Sequence, residues 1–181
     1  MKRMLAIVFS ILAVSAVVFA QGQAEIDKAL LAAPPNLKEA TTVIHWKSDY
    51  TYDTLKKGTG KLVCYDRSGR PTHQPFDVEC TSSANLERVA QTLKMEAISD
   101  KDARQKAFED AEKAGAWTKP EFGSVWFHFF GPDQEHARRH VTVAVPGATS
   151  KSMGLPEDNK QGGIWIMNAG RSDAHLMTPG N

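Results

Sequence analysis

From Ser82 onward the apolar residues change their spacing, and that change limits the possible folds more than any other feature of the chain. Leu86, Val89, Ala90, Leu93 and Ala97 fall at i, i+3, i+4, i+7 and i+11, the stripe of an amphipathic helix whose other face is charged. Ser99, with Asp102 three residues on, reads as a capping box opening a second helix. There Ala103, Ala107, Ala111 and Ala114 recur every third or fourth residue, small enough to lie close on a neighbouring surface, with Phe108 as the larger anchor. Gly115 supplies the stop.

On both sides of this helical middle the period is two. ATTVIHWK and YTYDTLKK are β-branched and aromatic, joined by a short Lys-Ser-Asp turn. KLVCYD resumes after the glycines of GTG at 58–60, which predicts an antiparallel meander of three strands, with QPFDVEC as a fourth. After the helices come SVWFHFF, HVTVAV, GIWIM and AHLM, separated by Gly- and Pro-bearing turns. Near the start, AEIDKALLAA places Ile26, Ala29, Leu30 and Ala33 at helical spacing before Pro34-Pro35. The expectation is an α+β fold: a mainly antiparallel sheet of about six to eight strands, a central helical pair packed on one face, and a short N-terminal helix.

The chain opens MKRMLAIVFSILAVSAVVFAQGQ, with basic Lys2 and Arg3, an apolar run from Met4 to Ala20, and small residues at Val18 and Ala20. This pattern predicts a secretory signal peptide over residues 1–20. An uncleaved anchor is the competing reading, but the run is at the short edge of what spans a bilayer. No cysteine follows it to accept a lipid. Removing residues 1–20 from 181 leaves 161, one α+β domain over 21–181. It also takes two cations, so 20 basic residues face 21 acidic ones, a formal charge of −1. That balance argues against nucleic acid as a partner, and no charged block suggests a membrane surface. The expected location is secreted or periplasmic, without stable membrane anchoring after signal removal.

Export places Cys64 and Cys80, the only two cysteines, in an oxidising compartment, so they are expected to form a disulfide. Their spacing is neither C-x-x-C nor C-x-x-C-H, and two distant cysteines do not make a zinc site. Closing a loop of this length stabilises a fold by about 3 kcal/mol in the chain-entropy model.

Residues that could carry chemistry give a weaker pattern. KGTGK, Lys57 to Lys61, lacks the spacing of a phosphate loop and reads as a hairpin turn with solvated lysines. His45, His73, His128, His136 and His140 lie in or beside strands and turns without a recognised metal spacing. His136 and His140 stand four apart, as in H-E-x-x-H, but no Glu follows His136. His128 shares a strand face with Trp126 and Phe130, and both faces of that strand are apolar, which predicts a central buried strand and a hydrogen-bonded neutral imidazole. SDAH, Ser172 to His175, is a chance adjacency without a nucleophile elbow. Trp46, Trp117, Trp126 and Trp165 read as face-packing residues, and a stacking platform would need them exposed together.

No catalytic residue, cofactor or metal site is assigned on this basis. His128, His140 and His175 are the candidate metal or acid–base residues, should the strands gather them around a carboxylate such as Asp133 or Glu135. The longest irregular stretch, Pro146 to Gly163, is the expected functional loop.

Three stretches, ALLAAPPNLKEATTVI, KKGTGKLVCYDRSG and AHLMTPG, together resemble an uncharacterised family of exported bacterial proteins. Its members have an Ala-Pro N-terminal helix, a G-T-[NG]-G hairpin before a cysteine-bearing strand, and an H-[LI]-M-x-P ending. The resemblance covers about half of the mature chain and departs at the turn, which reads GTGK. It implies export and a common fold, and carries no catalytic residue. The functional expectation is a non-catalytic binding or structural protein of the periplasm or cell exterior, its partner an unidentified small molecule or protein. In that reading the sheet presents a pocket or an edge and the Pro146–Gly163 loop covers it. The alternative is a small exported metal-assisted or acid–base enzyme using histidines from separate strands.

Overall fold

The structure is a computed structural model that describes residues 22–178. The expected signal peptide, residues 1–20, lies outside the described residues. Every segment of period two forms a strand: β1 (Thr42–Trp46), β2 (Tyr52–Lys56), β3 (Leu62–Asp66), β4 (Phe76–Ser82), β5 (Val125–Gly131), β6 (Arg138–Ala144), β7 (Trp165–Met167) and β8 (His175–Met177). They join in one eight-stranded sheet of order β2-β1-β3-β4-β5-β6-β8-β7. The helices are α1 (22–29), α2 (Leu86–Glu96), α3 (Lys101–Lys113) and the short α4 (Ser150–Met153). The chain is therefore an α+β protein, and among the described residues no helix is long and apolar enough to cross a membrane.

The first three strands are not a meander. β2 takes the edge, and β3 returns on the far side of β1 and pairs with it in parallel, the single parallel junction of the sheet. The glycines of GTG make this crossing possible and do not form a hairpin turn. A Cβ on Gly58 would stand 2.2 Å from the Ala40 carbonyl oxygen, and Gly60 donates its N–H to that oxygen at 2.8 Å. Only a residue without a side chain lets the chain pass so close to the start of β1.

Alternation along β3 and β4 divides the core between two faces. On one face Ala29, Ala32 and Ala33, at and after the end of α1, cover Val43, Cys64, Phe76, Val78 and Cys80. On the other, Val89 and Leu93 of α2 cover Ile44, Trp46, Val63 and Tyr65. Cys64 and Cys80 are directly opposed in the β3–β4 register and are joined by a disulfide with Cα atoms 4.0 Å apart.

The two central helices behave differently. α2 lies on the sheet, whereas α3 buries none of its residues completely, and Phe108 leans on Trp117 with ring centroids 5.1 Å apart. Asp100 caps α3 by accepting from the Ala103 N–H at 2.7 Å, in place of the expected Ser99–Asp102 box. Asp100 holds an extended backbone there, which brings its carboxylate over the first turn. The helices cover β1, β3 and β4, so β5 is central in strand order yet its side chains from Val125 to Phe130 stay half-buried. A third cluster of Val145, Ala148, Ile166 and Ala174 closes the β7–β8 end.

Candidate functional site

The α2 face of β4 carries Asp77, Glu79 and Thr81, all buried, alternating with the apolar residues of the opposite face. Buried carboxylates must be paired, and the neighbouring strands supply the partners. Arg67, just beyond β3, donates from Nε to Asp77 Oδ1 at 3.1 Å and reaches Glu79 Oε2 with Nη1 at 3.1 Å. Tyr65 donates its hydroxyl to Glu79 Oε1 at 2.5 Å. His128, from β5, places Nε2 2.8 Å from Asp77 Oδ1 and 3.0 Å from Arg67 Nη2. A carboxylate only accepts, so this nitrogen donates to Asp77, and its approach to the guanidinium, which also only donates, is a contact and not a hydrogen bond.

His73 completes the cluster. Its Nδ1 lies 3.1 Å from Asp77 Oδ2 and its Nε2 2.9 Å from Glu96 Oε2, at the end of α2. Both partners are acceptors, so both ring nitrogens donate only in the imidazolium form. Burial works against that charge, but the bonds to Asp77 and Glu96 outweigh it and the nearby Arg67, and raise the His73 pKa above its usual value. A raised folded pKa means stability that is fully present below the unfolded value near pH 6.5 and is lost as pH rises through the folded value. The thermal midpoint of the wild type is therefore expected to fall on the alkaline side of pH 6.5, and that of His73→Gln to fall less. Equal slopes in a thermal series from pH 6 to 9 would remove His73 from this role.

Burial and Glu79 raise the Tyr65 pKa well above its ordinary range. Burial opposes the charge of Arg67, but Glu79 and Asp77 more than offset it and hold the guanidinium ionised. The carboxylates of this cluster are each met by buried donors, and Arg67 and Glu79 form the floor of an adjoining cleft.

That cleft lies between α2, the segment after α3, and the open half of the sheet. One part, about 180 Å³, is lined by Arg67, Glu79, Arg88, Thr92, Trp117 and Trp126. A second, about 150 Å³, is lined by Arg88, Trp126, Thr142, Asp173 and His175, among others. Arg88 and Trp126 border both. The wall is stitched in place: Trp117 donates Nε1–H to Thr92 Oγ1 at 3.2 Å, the Thr118 N–H bonds Gln91 Oε1 at 2.8 Å, and the Glu121 N–H bonds Asn85 Oδ1 at 2.8 Å. Asn85 in turn donates to Thr81 and Ser124, so residues 117–124 are tied to both helix and sheet.

Arg88 is the group this wall exists to hold. The amphipathic pattern places it on the charged outer face of α2, yet it is only 6 % exposed, because the Trp117 segment folds over that flank. Its guanidinium carbon stacks 3.7 Å from the Trp117 ring centroid, a cation–π contact. Nη1 donates to the Thr118 carbonyl at 2.7 Å and approaches Ser172 Oγ at 3.5 Å. Nε and Nη2 have no protein partner, and no carboxylate lies within ion-pair distance of Arg88 among the described residues. Burial pulls its pKa down to about 10, opposed only in part by the more distant Asp173 and Glu112.

Comparison of the chain with protein-family models, curated proteins and solved structures finds no match in any of the three. The site is therefore read from its own geometry.

The histidines singled out in the sequence do not share one centre. His128 and His140 stand opposite each other in the β5–β6 register, while His175 stands opposite Ala144, four residues further along β6. Asp133 is engaged by its neighbour His136 at 2.8 Å. No group of three or more His, Cys, Asp or Glu side chains is placed to hold a metal ion among the described residues. Burial, then His128, His175 and Arg138, lower the His140 pKa. In SDAH, Ser172 donates to Glu112 on α3, Asp173 accepts from Arg171 and Asn168, and His175 bonds the Asp173 carbonyl. They form no triad. The Pro146–Gly163 stretch contains α4, and its residues line neither part of this cleft, although Pro146 and Gly147 line a separate cavity beside the end of α3. Of the tryptophans, Trp117 and Trp126 meet in the cleft, while Trp46 packs on Tyr52 and Tyr65.

Arg67, Asp77, Glu79 and Arg88 carried no motif. The one available signal was FDVEC, where two carboxylates alternate with core residues in a strand and must find buried cations.

Proposed function

We propose that this chain is an exported binding protein whose ligand is a small anion held in the cleft by Arg88. One observation carries the reading. Arg88, only 6 % exposed and stacked on Trp117, lines the cleft while its Nε and Nη2 make no hydrogen bond and its guanidinium makes no ion pair among the described residues. A buried cation without a counter-charge is costly to the fold, and an anion entering the cleft supplies that counter-charge. The disulfide and the apolar N-terminal run support placement in the periplasm or outside the cell.

Ligand bound only by the folded state raises stability by about 2.7 kcal/mol at a hundred times its Kd. The expected result is a rise in thermal midpoint with small carboxylates that is absent in Arg88→Gln. A wild type indifferent to acetate, benzoate and phosphate alike, or an Arg88→Gln variant that responds equally, would end this reading.

A further inference from the structure

The two parts of the cleft differ in what they offer, and the difference narrows the ligand. This step rests on the anion-binding reading above. Arg88 lines both parts, and its Nε and Nη2, adjacent N–H donors along one edge that make no hydrogen bond among the described residues, match the two oxygens of a carboxylate. A dianion such as phosphate would want a second cation. Arg67, the other arginine lining the cleft, is already neutralised by Asp77 and Glu79, and Asp173 adds negative charge nearby. Trp126 lines both parts, so a flat apolar body can lie on it in either. Trp117 is not available for this role, because Arg88 and Phe108 pack against its ring.

The second part ends in acceptors. His175 Nδ1 lies 2.8 Å from the Asp173 carbonyl oxygen. A carbonyl only accepts, so Nδ1 carries the proton and Nε2 of the neutral ring is a free acceptor. Neither Nε2 nor the Thr142 hydroxyl makes a hydrogen bond among the described residues, and both residues line this part. The Asp173 carboxylate is held by Arg171 Nε at 3.0 Å and Asn168 Nδ2 at 2.9 Å. Volumes of about 180 and 150 Å³ fall well below those of sites for drug-sized molecules, so one ring is the scale of the occupant.

We infer that the ligand is a monocyclic aromatic monocarboxylate bearing a hydroxyl away from the carboxylate, of the 4-hydroxybenzoate class. The carboxylate bridges Arg88 Nε and Nη2, the ring lies on Trp126, and the hydroxyl donates to His175 Nε2. Unlike a simple anion, this ligand uses the acceptor end of the cleft, which rejects an analogue unable to donate.

The test is titration calorimetry of the purified protein with 4-hydroxybenzoate, 4-methoxybenzoate, 4-hydroxybenzamide and acetate, on the wild type, Arg88→Gln, Arg88→Lys and His175→Phe. The wild type is expected to prefer 4-hydroxybenzoate over 4-methoxybenzoate and over 4-hydroxybenzamide by about tenfold or more. His175→Phe should erase the first preference and keep the second. Arg88→Gln should erase the second, and Arg88→Lys, with its charge but without its fork, should fall between. Circular dichroism confirms that each variant is folded, and the lysine variant decides if the glutamine variant is not. Equal binding of the hydroxy and methoxy acids, or a preference that survives His175→Phe, overturns the ligand class while Arg88-dependent anion binding stands. Failure of every carboxylate, acetate included, overturns the anion site with it.

Discussion

Asp77→Ala is expected to be the most damaging single substitution in the protein, lowering stability by about 3–5 kcal/mol and the thermal midpoint by roughly 6–20 °C. Asp77 is 2 % exposed and accepts from Arg67 and His73 of the β3–β4 connection and from His128 of β5. Removing it leaves Arg67 buried with Glu79 alone and frees one end of the His73 bridge to α2. Burial pushes the Asp77 carboxyl upward, but His128, His73 and Arg67 overcome it and hold its pKa well below the usual carboxylate range. A depressed folded pKa contributes stability that is present above the unfolded value, about pH 4, and is lost as pH falls toward the folded value. The variant should therefore lose less than the wild type between pH 5 and pH 3. Thermal unfolding at several pH values checks both statements. A loss under about 1 kcal/mol, or parallel acid limbs, would show that the cluster does not hold the fold.

Cutting the disulfide has the second-largest expected effect. The double variant Cys64→Ala/Cys80→Ala should lose about 3 kcal/mol in the chain-entropy model, roughly 6–12 °C of thermal midpoint. The bridge closes a loop containing Arg67, His73 and Asp77, so it limits the freedom of the segments that supply the cluster. Both sulfurs are fully buried between α1 and the sheet, and reductant should act on the native protein only slowly. Denaturation of the double variant and of the wild type with and without reductant measures the loss. The wild type unfolding at the same denaturant concentration in both states would sink the prediction.

The two effects meet in one place. The disulfide lies on the α1 face of β3 and β4, the ion cluster on the α2 face of the same strands. Strand alternation gives this arrangement without extra parts, since a strand that buries Cys80 on one face presents Glu79 on the other. The cluster in turn fixes the floor against which Arg88 and Trp117 are set.

Much of the fold was legible in the sequence. All eight strands and the α2 stripe follow from local spacing, because a half-buried element must alternate or repeat with its own period. The cysteine pair was legible too, since an apolar N-terminal run that reads as a signal peptide makes disulfide formation the simplest expectation for two cysteines. The order of the first three strands was not. GTG marks a break in either topology, and only the 2.2 Å approach of a Gly58 Cβ to the Ala40 carbonyl shows that the break is a crossing. Nor did SVWFHFF reveal that β5 is half-covered, because an apolar strand looks the same whether or not a helix lies over it.

By itself, then, the sequence determined the strands, the two long central helices and the α+β class, which depend on neighbours within a few turns, and it pointed to the bonded cysteines through their being the only two in the chain. Only tertiary structure decided that Arg88 is buried on Trp117, that Asp77 joins Arg67, His73 and His128, and that His175 lines a cavity shared with Arg88. The Arg88–Trp117 and Asp77–His128 contacts join residues far apart in the chain, and burial is set by what folds over a side chain. A charged residue on the polar side of a helix reads as solvated until another segment of the chain covers it, and here that segment begins with Trp117, past the end of the next helix.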